Sequence, residues 1–291
     1  MTIVAGFLLQ EHIVLCGDTM VTSGIKTHQS KLQGFHVNDG AERYTFGFAL
    51  AGNEVNGEMA IQDCIAALSE CPKQELTLRK ATEILREAIA DINRRYVDGR
   101  SDTERFDLII GAWLPRGGGL KLFSTAGGSG VIRRDHECLG SGYWLANIIA
   151  NPMFHRRMRL DETVLLAIQA IAAAKKYDPY CGGDTNFMVI ARGGAISAAV
   201  PYRAVEVENY IADFDNSSRR LLLDLGNAEL QEADIERKLA EFVEVGRRVR
   251  AFLRNRGFDY MTSFLQRLMQ AAKPHPESTT ADQSPPPPSQ E

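Results

Sequence analysis

The chain has 291 residues, is 44% hydrophobic and 24% charged, and carries a net charge of −4 at pH 7. That is ordinary globular composition with ample material for a buried core, and it argues against nucleic-acid or anionic-membrane partners. The cysteines Cys16, Cys64, Cys71, Cys138 and Cys181 are scattered and odd in number, without a C-x-x-C pair. A disulfide framework or zinc site is therefore not expected, and a reducing, cytoplasmic setting is.

The first residues show neither a basic stretch nor a long apolar one, so no signal peptide is expected. No run reaches the roughly 18 apolar residues of a membrane span. Residues 2–9 and 13–16 are almost continuously apolar, as strands covered on both faces are, with Gln10, Glu11 and His12 as a hairpin turn between them. YTFGFALA (44–51) predicts another strand. Asn53 opens a helix with Met59, Ile61, Cys64, Ile65 and Leu68 on one stripe, ended by Pro72. Thr77 caps a second, carrying Ile84, Leu85, Ala88, Ile89, Ile92 and Tyr96. FDLIIGAW (106–113) and LKLFST (120–125) predict a hairpin about the glycines at 117–119. AGGSG (126–130) is a turn, because neither a strand-to-helix context nor a following lysine supports a phosphate loop. A third helix runs from 143 to about 150, and Asp161 caps a fourth with Val164, Leu165, Ile168, Ile171 and Ala172. FMVIA (187–191) and ISAAV (196–200) form a last hairpin about Gly193 and Gly194.

Strands alternating with pairs of helices predict an α+β layered fold, and a four-layer αββα sandwich fits the order. Beyond residue 226, Ile235, Leu239, Phe242, Val245, Val249 and Phe252 mark an amphipathic helix, with Gly257 as its cap and a second helical piece at Phe264, Leu265 and Leu268. The arginines at 247, 248, 250, 254 and 256 read as its solvated face. The expected division is a core of 1–226, a helical extension of 227–271 and a disordered Pro-rich tail of 272–291.

A hydroxyl is a weak nucleophile without a base beside it. A threonine at the chain terminus carries its own base, the α-amine. Removal of Met1 makes Thr2 terminal. Asp18 follows 16 residues later, where paired strands bring it back beside Thr2. Lys31 lies just beyond. A buried Asp–Lys pair at the hydroxyl favours the alkoxide and depresses the α-amine pKa from about 8.

MTIVAGF, GDTMVTSG and the following KL resemble the N-terminus of a proteasome-type β subunit. They are similar to archaeal and bacterial proteasome β chains, to the peptidase subunit of the bacterial two-component ATP-dependent protease, and to the shorter bacterial "ancestral β subunit" relatives. A second block agrees: LGSGYWLA (139–146) followed by 158–191, which resembles the family's Gly-Ser-Gly segment, long helix and Asp-x-x-Ser-Gly-Gly turn. The likeness spans about residues 2–212.

The resemblance implies the N-terminal-nucleophile (Ntn) hydrolase fold and threonine endopeptidase activity without a cofactor. It also implies a peptide or unfolded-protein substrate, a homo-oligomeric ring and an ATPase or other regulator as candidate partner. It carries the nucleophile to Thr2, the tuning pair to Asp18 and Lys31, and the groups that orient the amine to Ser141, Asp178 and Cys181. Cys181 stands where the family usually has a serine, and thiols are poorer hydrogen-bond donors. Ala49 in ALAG falls on the oxyanion-hole residue, whose donor is main chain. Thr22 falls on a substrate-contacting loop residue.

Met20 replaces an arginine of many proteasome β chains, and the loop from Asp18 to Lys31 is shorter than in the archaeal protein. A register that puts Met1 at the nucleophile position breaks the match at Gly6 and at the spacing to Asp18. Two rival readings keep the fold: an inactive structural ring subunit, and an Ntn amidohydrolase acting on a small amide.

Overall fold

The computed structural model describes residues 2–23, 25–39, 42–126, 130–199 and 202–253. Two five-stranded antiparallel sheets lie face to face and helices cover the outside, which is the αββα arrangement expected. The first sheet runs β10-β1-β2-β11-β12, built from β1 (Ile3–Leu8), β2 (His12–Asp18), β10 (His136–Gly140), β11 (Thr185–Ala191) and β12 (Ile196–Ala199). The second runs β5-β6-β7-β8-β9, built from β5 (Leu32–Asp39), β6 (Glu42–Gly52), β7 (Phe106–Leu114), β8 (Gly119–Ala126) and β9 (Gly130–Arg134). A separate two-stranded ribbon, β3 (Met20–Ser23) with β4 (Ile25–His28), spans the stretch between Asp18 and Lys31.

Four layers need three apolar interfaces, and the alternation of β1 and β2 supplies two of them. Ile3, Ala5, Phe7, Val14 and Cys16 face α3 (Tyr143–Met153) and α4 (Leu160–Tyr177). Val4, Leu8, Ile13 and Leu15 point the other way, into the layer between the sheets with Ile109, Leu122 and Met188. Every residue of β1 is buried, which is why its sequence reads as unbroken apolar rather than alternating. Gly6 marks a close approach of the sheets: a Cβ there would stand 2.6 Å from the Ile109 side chain. The third interface packs Phe46, Phe48, Leu108 and Ile110 against α1 (Glu54–Glu70) and α2 (Leu78–Ile92). Truncating a fully buried phenylalanine such as Phe48 to alanine is expected to cost about 3–5 kcal/mol.

The helix starts follow side-chain chemistry. Asn53 accepts the Asn56 N–H at 3.0 Å and Thr77 accepts the Lys80 N–H at 3.3 Å, as their positions predict. The fourth helix departs from expectation. It begins at Leu160 with Arg159 as its cap residue, and the Glu162 carboxylate closes back on the Arg159 N–H at 2.9 Å. Asp161 sits inside the first turn, where its charge still suits the helix dipole.

A helix that no strong apolar stripe announces, α5 (Tyr202–Leu225), packs on α4 and pairs with α6 (Glu232–Phe252). Its anchor is Glu208, which accepts Lys175 Nζ at 2.7 Å and the Thr185 hydroxyl at 2.5 Å. Gly257, the helical piece at 264–268 and the Pro-rich tail lie outside the described residues. No helix among the described residues is long and apolar enough to cross a membrane.

Candidate active site

Strand register builds the site. In the β1–β2 pair Val4 faces Gly17, so Asp18 arrives at the start of β1, and Thr185 of β11 holds it from the other side. The backbones close tightly here: a Cβ on Gly140, at φ +104°, would stand 2.0 Å from the Thr2 carbonyl. Only glycine fits at that point.

The Asp18 side chain takes donors from four directions. Oδ1 accepts the Thr2 hydroxyl, the Ile3 N–H at 3.2 Å and Lys31 Nζ at 2.6 Å, and Oδ2 accepts the Gly182 N–H at 2.8 Å. Lys31 also donates to the Thr2 hydroxyl and, at 2.6 Å, to the Met20 carbonyl, so all three of its protons are used. The Thr2 Oγ thus lies between a carboxylate and an ammonium, with Thr2 3% and Asp18 1% exposed. Burial lowers the Lys31 pKa below the ordinary lysine value and Asp18 opposes that shift. Thr2, Asp18 and Lys31, singled out from the sequence, are therefore in mutual contact.

Ser141, Asp178 and Cys181 form a second cluster beside them. Ser141 opens the turn into α3, Asp178 ends α4, and Cys181 lies in the loop that leads to β11. The Cys181 thiol donates to Asp178 Oδ2 at 3.5 Å and lies 3.8 Å from Ser141 Oγ. Asp178 Oδ1 accepts the Tyr180 N–H at 2.9 Å, which fixes the carboxylate. Burial, with the charge of Asp18 adding to it, raises the Cys181 pKa to about 12, so the group is a neutral thiol at physiological pH. Gly142 packs against it: a Cβ there would meet Cys181 Sγ at 2.9 Å.

Ala49 does not have the geometry expected of it. It stands inside β6, opposite Leu32 of β5 and Ile109 of β7. Leu50 donates its N–H to the Lys31 carbonyl at 3.0 Å, and successive N–H groups alternate in direction. The Ala49 N–H therefore points into the β6–β7 ladder, away from Lys31 and Thr2. The next main-chain N–H on the Lys31 side is that of Gly52, one step past the last bond to β5. Gly52 has φ +95°, and a Cβ there would stand 2.4 Å from the Arg105 carbonyl. Thr22 lies in β3, and its side chain falls outside the described residues, as does Met1.

The main-chain partners, namely the Ile3 and Gly182 N–H groups and the Met20 carbonyl, are not legible in the sequence, because no residue type announces them. Gly52 did carry a signal, a glycine at a strand end just ahead of a helix cap.

Comparison with known proteins first defines the class of fold. The chain is similar to Anbu, described as an ancestral β subunit, from Yersinia bercovieri, with a TM-score of 0.63 and 14% identity over 79% of this chain and 100% of that one. It is similar in the same way to Anbu from Pseudomonas aeruginosa, solved as a helical assembly of the Anbu complex, with a TM-score of 0.61 and 15% identity over 80% and 99% of the two chains. The fold is the proteasome-like Ntn type. In sequence, the chain is 32% identical over 83 residues to proteasome subunit beta 2 of Thermofilum pendens. That match covers 28% of this chain and 41% of that relative. No family model matches the chain.

Proposed function

We propose that this chain is a threonine peptidase of the proteasome β-subunit type. The observation that carries the reading is the Thr2 hydroxyl, buried between the Asp18 carboxylate and the Lys31 ammonium at the start of a core strand. The reading requires that everything before Thr2 be removed, which frees an α-amine next to the hydroxyl.

The amine takes the Oγ proton, directly or through water, and Oγ attacks the carbonyl carbon of a peptide bond. Lys31 keeps its charge against the developing alkoxide and holds the amine basic but unprotonated. The oxyanion is held by a main-chain N–H on the Lys31 side of β6, and Gly52 is the residue with the right orientation. The tetrahedral intermediate collapses as the amine protonates the leaving nitrogen. Water, activated by the same amine, then releases the acyl group from Oγ. Ser141, Asp178 and Cys181 orient the amine. Thr22 contacts substrate.

The whole assembly is read as a cytoplasmic homo-oligomeric ring that takes peptide or unfolded protein, with an ATPase or other regulator as a candidate partner. The division into a core of 1–226, an extension of 227–271 and a tail of 272–291 belongs to the same reading. The test is intact mass with and without a threonine-directed covalent inhibitor. The expected result is a mature chain that starts at Thr2, with one adduct that disappears in Thr2→Ala. Retained Met1 and no adduct favour the inactive ring subunit instead. Hydrolysis of small amides but not of peptides, by a protein that does not assemble, favours the amidohydrolase.

A further inference from the structure

The far end of β1 carries a different chemistry. Six strand residues at about 3.3 Å each put Leu8 about 20 Å from the Thr2 end. A groove of about 500 Å³ opens beside Leu8 between β8, β9 and the loop after α3. Four cations converge on it: Lys121, Arg133, Arg134 and Arg156.

Only part of this charge is balanced. Arg134 pairs with Glu137 at 2.8 Å, and Arg156 reaches Asp135 at a loose 3.7 Å. Lys121 Nζ donates to the Leu120 carbonyl at 3.2 Å, and neither Lys121 nor Arg133 pairs with a carboxylate among the described residues. Arg133 stands opposite Phe123 in the β8–β9 ladder, so it and Lys121 share one face of the sheet edge. Partial burial, and then Arg133 and Arg156 beside it, lower the proton affinity of Lys121. Leu120 and Leu122 point to the other face, into the layer between the sheets with Leu8, and like charges gathered along this edge favour a bound anion of matching multiplicity.

We propose that this groove binds a chain of phosphates, with Lys121 and Arg133 as its principal ligands and Arg156 at its rim. Arginine forks match phosphate oxygens in pairs, and a groove of this size takes more than one phosphate. The site is independent of Thr2 and of peptide hydrolysis.

The test is calorimetric titration of the full chain with inorganic triphosphate, ATP and inorganic monophosphate at one fixed ionic strength. Triphosphate is expected to bind at least about tenfold more tightly than monophosphate. Each of Lys121→Ala and Arg133→Gln is expected to weaken it at least about tenfold, since charge-assisted bonds are the strong ones. Arg237→Gln, on α6, which does not line the groove, should leave binding unchanged. Circular dichroism on each variant separates lost binding from lost fold. Equal affinity for triphosphate and ATP assigns an inorganic chain, and a gain of tenfold or more for ATP assigns a nucleotide. Absence of triphosphate binding, or binding undiminished in both folded variants, overturns the proposal and leaves the cations as charges that protect a sheet edge.

Discussion

The two flanks of Thr2 are built from different materials. On one side Asp18 and Lys31 make an ion pair whose side chains are 0% and 9% exposed, and every donor and acceptor found there has a partner. On the other side the contacts run through a thiol at 3.5 and 3.8 Å. A buried ion pair is rigid because a charge without its partner is costly there, whereas a thiol is a weak donor that tolerates loose geometry. The difference teaches that the hydroxyl is fixed by electrostatics and the opposite flank by packing.

Asp18→Ala breaks the first flank outright. It leaves the Lys31 ammonium and the Ile3 and Gly182 N–H groups without their acceptor, and is expected to cost about 3–5 kcal/mol in urea denaturation. Hydrolysis should fall by at least about 10²–10³, the range found when a single charge-stabilising group is lost.

Gly52→Ala is expected to follow, at about 1–3 kcal/mol, because its φ of +95° and the Arg105 carbonyl leave no room for a Cβ. Ala49→Gly is its control. The Ala49 N–H faces β7, so that change should cost only about 0.5–1 kcal/mol in thermal unfolding and leave turnover intact.

Cys181→Ser probes the weaker flank. A hydroxyl donates better than a thiol, so the variant should fold within about 1 kcal/mol of the parent and turn over faster. Unchanged or slower turnover would show that packing alone matters there.

The smallest effects are in titration. Native Cys181, with a pKa near 12, should resist thiol reagents at pH 8 until the chain is unfolded. Lys31 binds its proton less tightly folded than unfolded. Its share of stability therefore rises with pH between its folded pKa and the unfolded value of 10.5, while the alkaline limb of hydrolysis falls before 10.5. A limb at or above 10.5 would show that Lys31 charge is not required.

The legible parts of this molecule were those set by local pattern. Residues 2–18 read directly as a buried hairpin, and pairing alone returns Asp18 to Thr2. The helix caps Asn53 and Thr77 were equally plain. Lys31 was harder, because the ribbon of β3 and β4 carries the chain away and back before Lys31 reaches Thr2. The donor in β6 could not be chosen from sequence, since the direction of each N–H depends on the register with β5. Helix α5 escaped because its buried face is the thin stripe of Ala204, Val207 and Ile211 in a largely polar stretch.

The bond from the Gly182 N–H to Asp18 joins residues 164 apart, and Thr185 flanks Asp18 in the same sheet. Such distant pairings form late, after the cost of closing a long loop has been met. A chain still emerging from the ribosome carries Thr2, Asp18 and Lys31 long before β11 exists to hold them. On the peptidase reading proposed above, Thr2 is silent throughout synthesis, and a fragment that stops short of residue 182 lacks the Gly182 donor that holds Asp18 beside it. Under that reading the order of the strands is itself a timer, because the last strand made is the one that completes the site.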